Sequence, residues 1–395
     1  MIRINSYLSE FTEGSQPMRA CVVHNTLNSV GGGERVCLAV IETLKELGYE
    51  VTLLTVEPTD WLRVEKMIGA EILFRPHREE TIIPFKVRLF GIYMRLLTFL
   101  KLLGNIRKSK WDLVVNTHGD VLPISSDIIY MHYPTFVLLK ETPVNLKYAS
   151  SIFWRLYFTP YEKIQEMLSK RLKCKVLLTN SEYSAEAIKK YIGVEAMILY
   201  PPVDIQDFLR VSSMKKDRKD VVVLCGRFSP EKNYEIVLEM ARRLPEVEFR
   251  IVGASSGRIS EAYYNKLKKS INCLRLKNVR LFKNAPKNLQ LKLYSEGKVF
   301  LHTMIGEHFG ISVVEGMAAG LVPVVHKSGG PWNDIVLRGR YGLGYLSIKE
   351  AIDVISKAIN SYWRLRDVVL ERAKAFSKEK FKQEFKEIVR KMNVI

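Results

Sequence analysis

No two of the five cysteines, Cys21, Cys37, Cys174, Cys225 and Cys273, stand at the spacing of a metal-ligand set or a disulfide framework. They read as reduced thiols of a cytoplasmic protein. A DxD triplet, an HExxH helix and a GxGxxG fingerprint are also missing, so neither an essential metal ion nor a standard dinucleotide site is expected. Long hydrophobic runs are absent: nowhere do 18 uncharged apolar residues follow one another, which excludes an ordinary transmembrane helix. The first residues, MIRINSYLSEFTEGSQPMRA, lack the apolar centre of a signal peptide. Residues 1–19 therefore read as an extension ahead of the fold, with Met18 as an alternative start. Repeats and low-complexity tracts are lacking too.

What is present is the composition of a globular protein, 47% hydrophobic and 26% charged over 395 residues, enough for two domains of ordinary size. The net charge of +19 is uneven. Residues 81–110 carry Lys86, Arg88, Arg95, Lys101, Arg107, Lys108 and Lys110 with no acidic residue, and Ile92, Tyr93, Met94, Leu96, Leu97, Phe99 and Leu100 lie among them. That mixture suits a basic amphipathic helix resting on an anionic membrane surface. A core helix with a solvated basic face is the alternative. Nucleic acid is not an expected partner, because no binding motif accompanies the charge.

Short apolar runs alternate with helical periodicity through both halves, which predicts parallel sheets covered by helices, an α/β protein of two Rossmann-like domains facing each other across a cleft. Strands are expected at Ala20–His24, Glu50–Thr55, Asp112–Asn116, Ile128–Met131 and Lys175–Thr179. They resume at Val221–Cys225, Glu248–Val252, Val279–Phe282, Val299–His302 and Val322–Val325. Tyr200-Pro201-Pro202 breaks the pattern. The expected division is residues 20–202, 203–372 and a helical tail, 373–395.

Four constellations carry chemistry. Gly31-Gly32-Gly33 follows the first strand and precedes a helix, so backbone N–H groups there can approach a phosphate or a sugar; a tight structural turn would look the same. Gly226–Asn233 follows the first strand of the second half, and its Arg227 and Lys232 can hold a diphosphate. In His302–Gly320, Glu307 and Glu315 stand eight residues apart around a helix start. Their carboxylates suit hydroxyl recognition, and the N–H groups of Phe309, Gly310 and Ile311 suit phosphate oxygens. Two glutamates also fit the acid and nucleophile of a glycosidase. Last, His132 ends a strand, where it can face a cleft or be an interior histidine; His118 is a weaker candidate of the same kind.

Taken together, these residues resemble family 4 glycosyltransferases, retaining enzymes of the GT-B fold. The E-x7-E pattern is met by Glu307 and Glu315, GR-x4-K by Arg227 and Lys232, and the glycine loop by Gly31–Gly33. The wording of Gly31–Val36, Tyr130–Thr135, His302–Met304, Glu307–Gly310, Ser328–Pro331 and Asp334–Val336 points within the family to mannosyltransferases of lipid-linked glycan assembly.

The resemblance implies a nucleotide-sugar donor, GDP-mannose rather than a UDP-sugar, a glycan or lipid-linked acceptor, and no cofactor. It implies that Glu307 contacts the donor sugar, Glu315 the ribose, and His132 the sugar near the reacting centre. Arg227 and Lys232 would hold the diphosphate with the backbone of Gly32, Gly33, Phe309, Gly310 and Ile311. It further implies a carboxyl-terminal helix, Phe376–Met392, crossing back to the first domain, and a peripheral place at the cytoplasmic face of a membrane through residues 81–110. Residues 82–110 and 137–173 carry no matching phrase, and acceptor choice belongs to that half. Rival readings are a nucleotide-sugar epimerase, a glycan phosphorylase, and a basic membrane- or nucleic-acid-binding protein on an inactive scaffold.

Overall fold

The structure, a computed structural model, describes residues 17–29, 31–68, 74–83, 103–104, 106, 111–137, 152–214 and 217–393. Most of the basic stretch 81–110 and of the amino-terminal extension lie outside the described residues.

The first half runs β1 (Arg19–Val23), α1 (Gly32–Glu46), β2 (Glu50–Thr55), α2 (Trp61–Ile68), β3 (Arg78–Thr81), β4 (Leu113–Asn116), β5 (Ile128–Met131), α3 (Ile152–Ser169), β6 (Val176–Thr179), α4 (Glu182–Ile192) and β7 (Met197–Ile198). The second runs α5 (Gln206–Met214), β8 (Val221–Cys225), α6 (Glu235–Arg243), β9 (Glu248–Gly253), α7 (Gly257–Cys273), β10 (Val279–Lys283), α8 (Lys287–Glu296), β11 (Val299–His302), α9 (Ile311–Ala318), β12 (Val322–His326) and β13 (Leu343–Tyr345). It closes with α10 (Ile348–Asn360), α11 (Tyr362–Lys374) and α12 (Lys378–Asn393).

Among the described residues the strands form two wholly parallel sheets, ordered β3-β2-β1-β4-β5-β6-β7 and β10-β9-β8-β11-β12-β13. Apolar runs such as VVVLC and VFLH are buried on both faces, as parallel strands under helices require. In each sheet the strand order reverses beside its first strand, between β1 and β4 and between β8 and β11. Crevices open at the carboxyl ends of strands at such points. The loops after β1, β4, β5, β8 and β11 are the ones that meet there.

Three strands were not expected from sequence. β3 reads REET and is half exposed, while β7 and β13 are only two and three residues long. All three lie at or next to sheet edges, where charge and brevity are tolerated and the hydrophobic signal fades. Helix α9 begins at Ile311, directly after Gly310, which takes the left-handed conformation at its cap (φ +102°).

The last helix, α12, belongs physically to the first domain. Phe381, Phe385 and Val389, one helical turn apart, are buried in the core formed around β1 and α1. Lys382 and Lys378 pair with Glu42 of α1, and Lys386 pairs with Glu46 at 2.7 Å. No helix among the described residues is long and apolar enough to cross a membrane.

Candidate active site

Two connected cavities, each of about 370 Å³, lie between the sheets. The inner one is lined by Gly32, Gly33 and His132 from the first domain and by Arg227, Lys232, Glu307, Phe309, Gly310 and Ile311 from the second. The outer one is lined by Arg35 from the first domain and by Asn284, Lys287, Gln290 and Glu315 from the second, and it shares Gly32, Arg227 and Ile311 with the inner one. Every residue given a part in donor binding by the sequence thus borders one of these two spaces, and His118 does not.

Glu307 is the most constrained of them. Its Oε2 lies 2.6 Å from Lys232 Nζ and 3.5 Å from His302 Nε2. Burial alone would raise its carboxyl, but the Lys232 ammonium and the His302 ring outweigh burial and hold it well below the usual carboxylate range. Burial is the main cause that depresses the His302 imidazole, whose Nε2 lies beside the Glu307 carboxylate.

The backbone carrying Glu307 is held by Ser328-Gly329-Gly330. Gly330 N donates to Glu307 O at 2.9 Å, and Gly306 N donates to Ser328 Oγ at 2.9 Å. A Cβ on Gly329 would lie 2.3 Å from Glu307 O, and one on Gly330 2.3 Å from His308 O. Only glycines let the two strand-end loops approach so closely. On the other side, Thr303 Oγ1 donates to Lys232 O, which ties the lysine's loop to β11.

His132 sits one residue past β5. Its backbone N donates to Asp120 Oδ1 at 3.1 Å, and its Nε2 lies 3.3 Å from Thr117 O. The ring also touches the glycine loop, since a Cβ on Gly33 would come 3.1 Å from Nε2. His118 lies behind it, edge-on to His132 and stacked on His24, where it backs the site rather than lining it. Full burial, with His132 adding to it, lowers the His24 imidazole to about 3.

The glycine loop enters α1 through a carboxylate. Glu34 Oε2 accepts from Gly31 N at 2.6 Å, and its burial raises the Glu34 carboxyl. Opposite, the first turn of α9 leaves N–H groups without intrahelical acceptors, as every helix start does, and they face the inner cavity. Gly316 packs α9 onto β11, where a Cβ would lie 2.5 Å from Phe300. Arg227 differs from the others: it borders both cavities, yet its side chain is three-quarters exposed and 3.8 Å from Glu231.

Three participants escaped the sequence reading. His302 has no role of its own in the sequence reading, only a place in a strand and in the wording His302–Met304. Arg35 donates to Glu315 Oε1 across the cleft at 3.3 Å. His308 stacks on Tyr133. Arg35 and His308 depend on an element from elsewhere in the chain, which no local pattern announces, whereas His302 meets Glu307 only through the fold of the loop between them. Among the described residues no group of three His, Cys, Asp or Glu side chains has the arrangement of a metal site.

Residues 30–207 match the family described as Glycosyltransferase Family 4, and residues 205–383 match Glycosyl transferases group 1. The chain is similar to the GDP-Man:Man(3)GlcNAc(2)-PP-Dol alpha-1,2-mannosyltransferase of Homo sapiens, at 26% identity with 99% of this chain and 90% of that protein covered. It is equally similar, 26% identical, to the protein of the same name from Dictyostelium discoideum, covering 65% of this chain and 57% of that one. The fold is shared with sucrose-phosphate synthase from Thermosynechococcus elongatus, with a TM-score of 0.72 over 95% of this chain and 99% of that one at 15% identity. The architecture is GT-B.

Proposed function

This chain belongs to glycosyltransferase family 4, and from that premise we propose that it transfers mannose from GDP-mannose to a glycan carried on a lipid, with retention of anomeric configuration. The observation that carries the reading is the Lys232–Glu307 pair, which faces His132 and the glycine loop across one cavity. Mannose and guanine come from the named activity of the relatives.

In this reading the Glu307 carboxylate accepts from hydroxyls of the donor sugar, and His132 contacts the sugar from the opposite wall. Lys232, Arg227 and the first turn of α9 stabilise charge that grows on the diphosphate as its bond to the anomeric carbon breaks. The acceptor oxygen bonds to that carbon on the same face, and its proton passes to the departing diphosphate. No metal ion takes part. Closure of the two domains expels water and aligns the reactants.

The acceptor brings the protein to the cytoplasmic face of a membrane as a peripheral enzyme, with the basic stretch 81–110 in contact with anionic lipid. Pelleting with anionic liposomes should then fall when Arg95, Lys101 and Arg107 are neutralised, and unchanged pelleting would remove that contact from the proposal.

The deciding experiment is a panel of GDP- and UDP-sugars with lipid-linked glycan, in the presence of EDTA, on the wild type and Glu307→Ala. We expect transfer from GDP-mannose by the wild type and none by the variant, with the variant still folded. Full activity of a well-folded Glu307→Ala protein would overturn the assignment of the site. Transfer from UDP-sugars alone would overturn the donor.

A further inference from the structure

We infer that Arg35 is a donor-binding residue that couples nucleotide occupancy to domain closure, exchanging Glu315 for the diphosphate of the donor. The inference rests on the donor-binding reading above.

Arg35 is the fourth residue of α1 and lies directly behind the glycine loop. A helix start carries partial positive charge, so a cation in the first turns is mildly disfavoured there, and a carboxylate or a phosphate is what such a position favours. The other charged residue of this turn, Glu34, follows the rule by taking the Gly31 N–H. Arg35 breaks it. A guanidinium in this place makes physical sense when an anion is to sit in front of the same helix end.

In the structure that anion is Glu315 of the other domain. Arg35 Nη1 donates to Glu315 Oε1 at 3.3 Å, and the pair is largely shielded, with the two side chains 26% and 9% exposed. The contact is long for a charge-assisted bond and engages one of the five N–H donors of a guanidinium. Arg35 borders the outer cavity together with Gly31, Gly32, Arg227 and Lys287. These cations from both domains surround a space with Glu315 as its anion, and that arrangement suits a dianionic guest better than an empty cleft.

The exchange follows from the chemistry of the two partners. Ribose hydroxyls can donate to Glu315, and this weakens its hold on Arg35. The diphosphate offers bidentate acceptors, which a planar guanidinium prefers. Arg35 is carried on the first domain and Glu315 on the second. A diphosphate held by Arg35 and by Lys232 and Arg227 together therefore clasps the domains, whereas a nucleoside without phosphates only breaks the existing link.

The test is calorimetry on the full chain with guanosine, GMP, GDP and UDP, for the wild type, Arg35→Ala and Arg35→Lys, with thermal melting to check folding. Small-angle scattering with and without GDP reads closure. Arg35→Ala should weaken GDP by roughly 10- to 100-fold, the loss of a charge-assisted contact, and leave guanosine unchanged or tighter. It should also abolish the compaction that GDP produces in the wild type. Arg35→Lys should recover part of the GDP affinity. Equal weakening of guanosine and GDP would make Arg35 a structural residue and overturn the inference, as would GDP affinity and compaction like the wild type's. Failure of the donor reading looks different: the wild type itself would then bind neither GDP nor UDP, and the inference would fall with it.

Discussion

His308 lies flat on Tyr133 across the cleft, with ring centroids 4.1 Å apart and planes within 4°. Tyr133 directly follows His132, and His308 directly follows Glu307. The stack therefore joins the backbones that carry the two side chains facing the inner cavity from opposite domains. Tyr183 at the start of α4 lies beside both rings, its centroid 5.8 Å from Tyr133 and 6.5 Å from His308.

If the stack sets the spacing of those two side chains, its loss should appear in turnover before stability. His308→Ala should lower kcat about 3- to 10-fold, the worth of one aromatic pair, with little change in donor affinity. His308→Phe should restore most of it. Steady-state kinetics on both variants decide the matter, since equal loss in the two would exclude a role for stacking.

Gly33→Ala separates stability from catalysis. Helix propensity makes alanine worth roughly 0.5–1 kcal/mol over glycine in α1, but its Cβ would come 3.1 Å from His132 Nε2 and push the ring away. The expected variant melts at or above the wild-type temperature and turns over roughly tenfold more slowly, because sub-ångström misplacement at a reacting centre is costly. An unchanged rate would show that the position of His132 does not matter to transfer.

Asp334 predicts a pH dependence. It is buried at the interface, where its Oδ1 accepts from Glu182 N at the start of α4, 2.8 Å away. Burial, with the nearby Glu182 carboxylate, raises its carboxyl from 3.8 to about 7, against the opposing pull of Arg372. A carboxyl raised on folding contributes stability that is full below pH 4 and is lost as pH rises through 7. Asp334→Asn removes this titration, so the wild type should lose stability relative to the variant between pH 4 and 7, by at most about 4 kcal/mol. Melting curves across that range test it, and parallel curves would show that Asp334 is not protonated in the native state.

Interior strands such as Ile128–Met131, Val221–Cys225 and Val299–His302 were legible residue for residue, because strands buried on both faces are nearly continuous apolar runs. The edges β3 and β7 were not, since solvent on one side removes that requirement. The glycine turns were legible through local backbone need. The reason for Ser328-Gly329-Gly330 was not, because the backbone it must admit, Glu307–His308, comes from more than twenty residues earlier.

By itself the sequence determined the alternation of strand and helix, the glycine loop, and the residue types that line the cleft. These follow from burial, propensity and local geometry, all short-range along the chain. Only the tertiary structure decided which charges pair. Lys232 pairs with Glu307, whose carboxylate also lies beside His302, Arg35 reaches Glu315 across the cleft, and α12 returns to bury Phe381 and Phe385 against α1. Electrostatic partnership and core membership depend on distance in space, and two parallel sheets set face to face bring together residues that sequence spacing holds hundreds of positions apart.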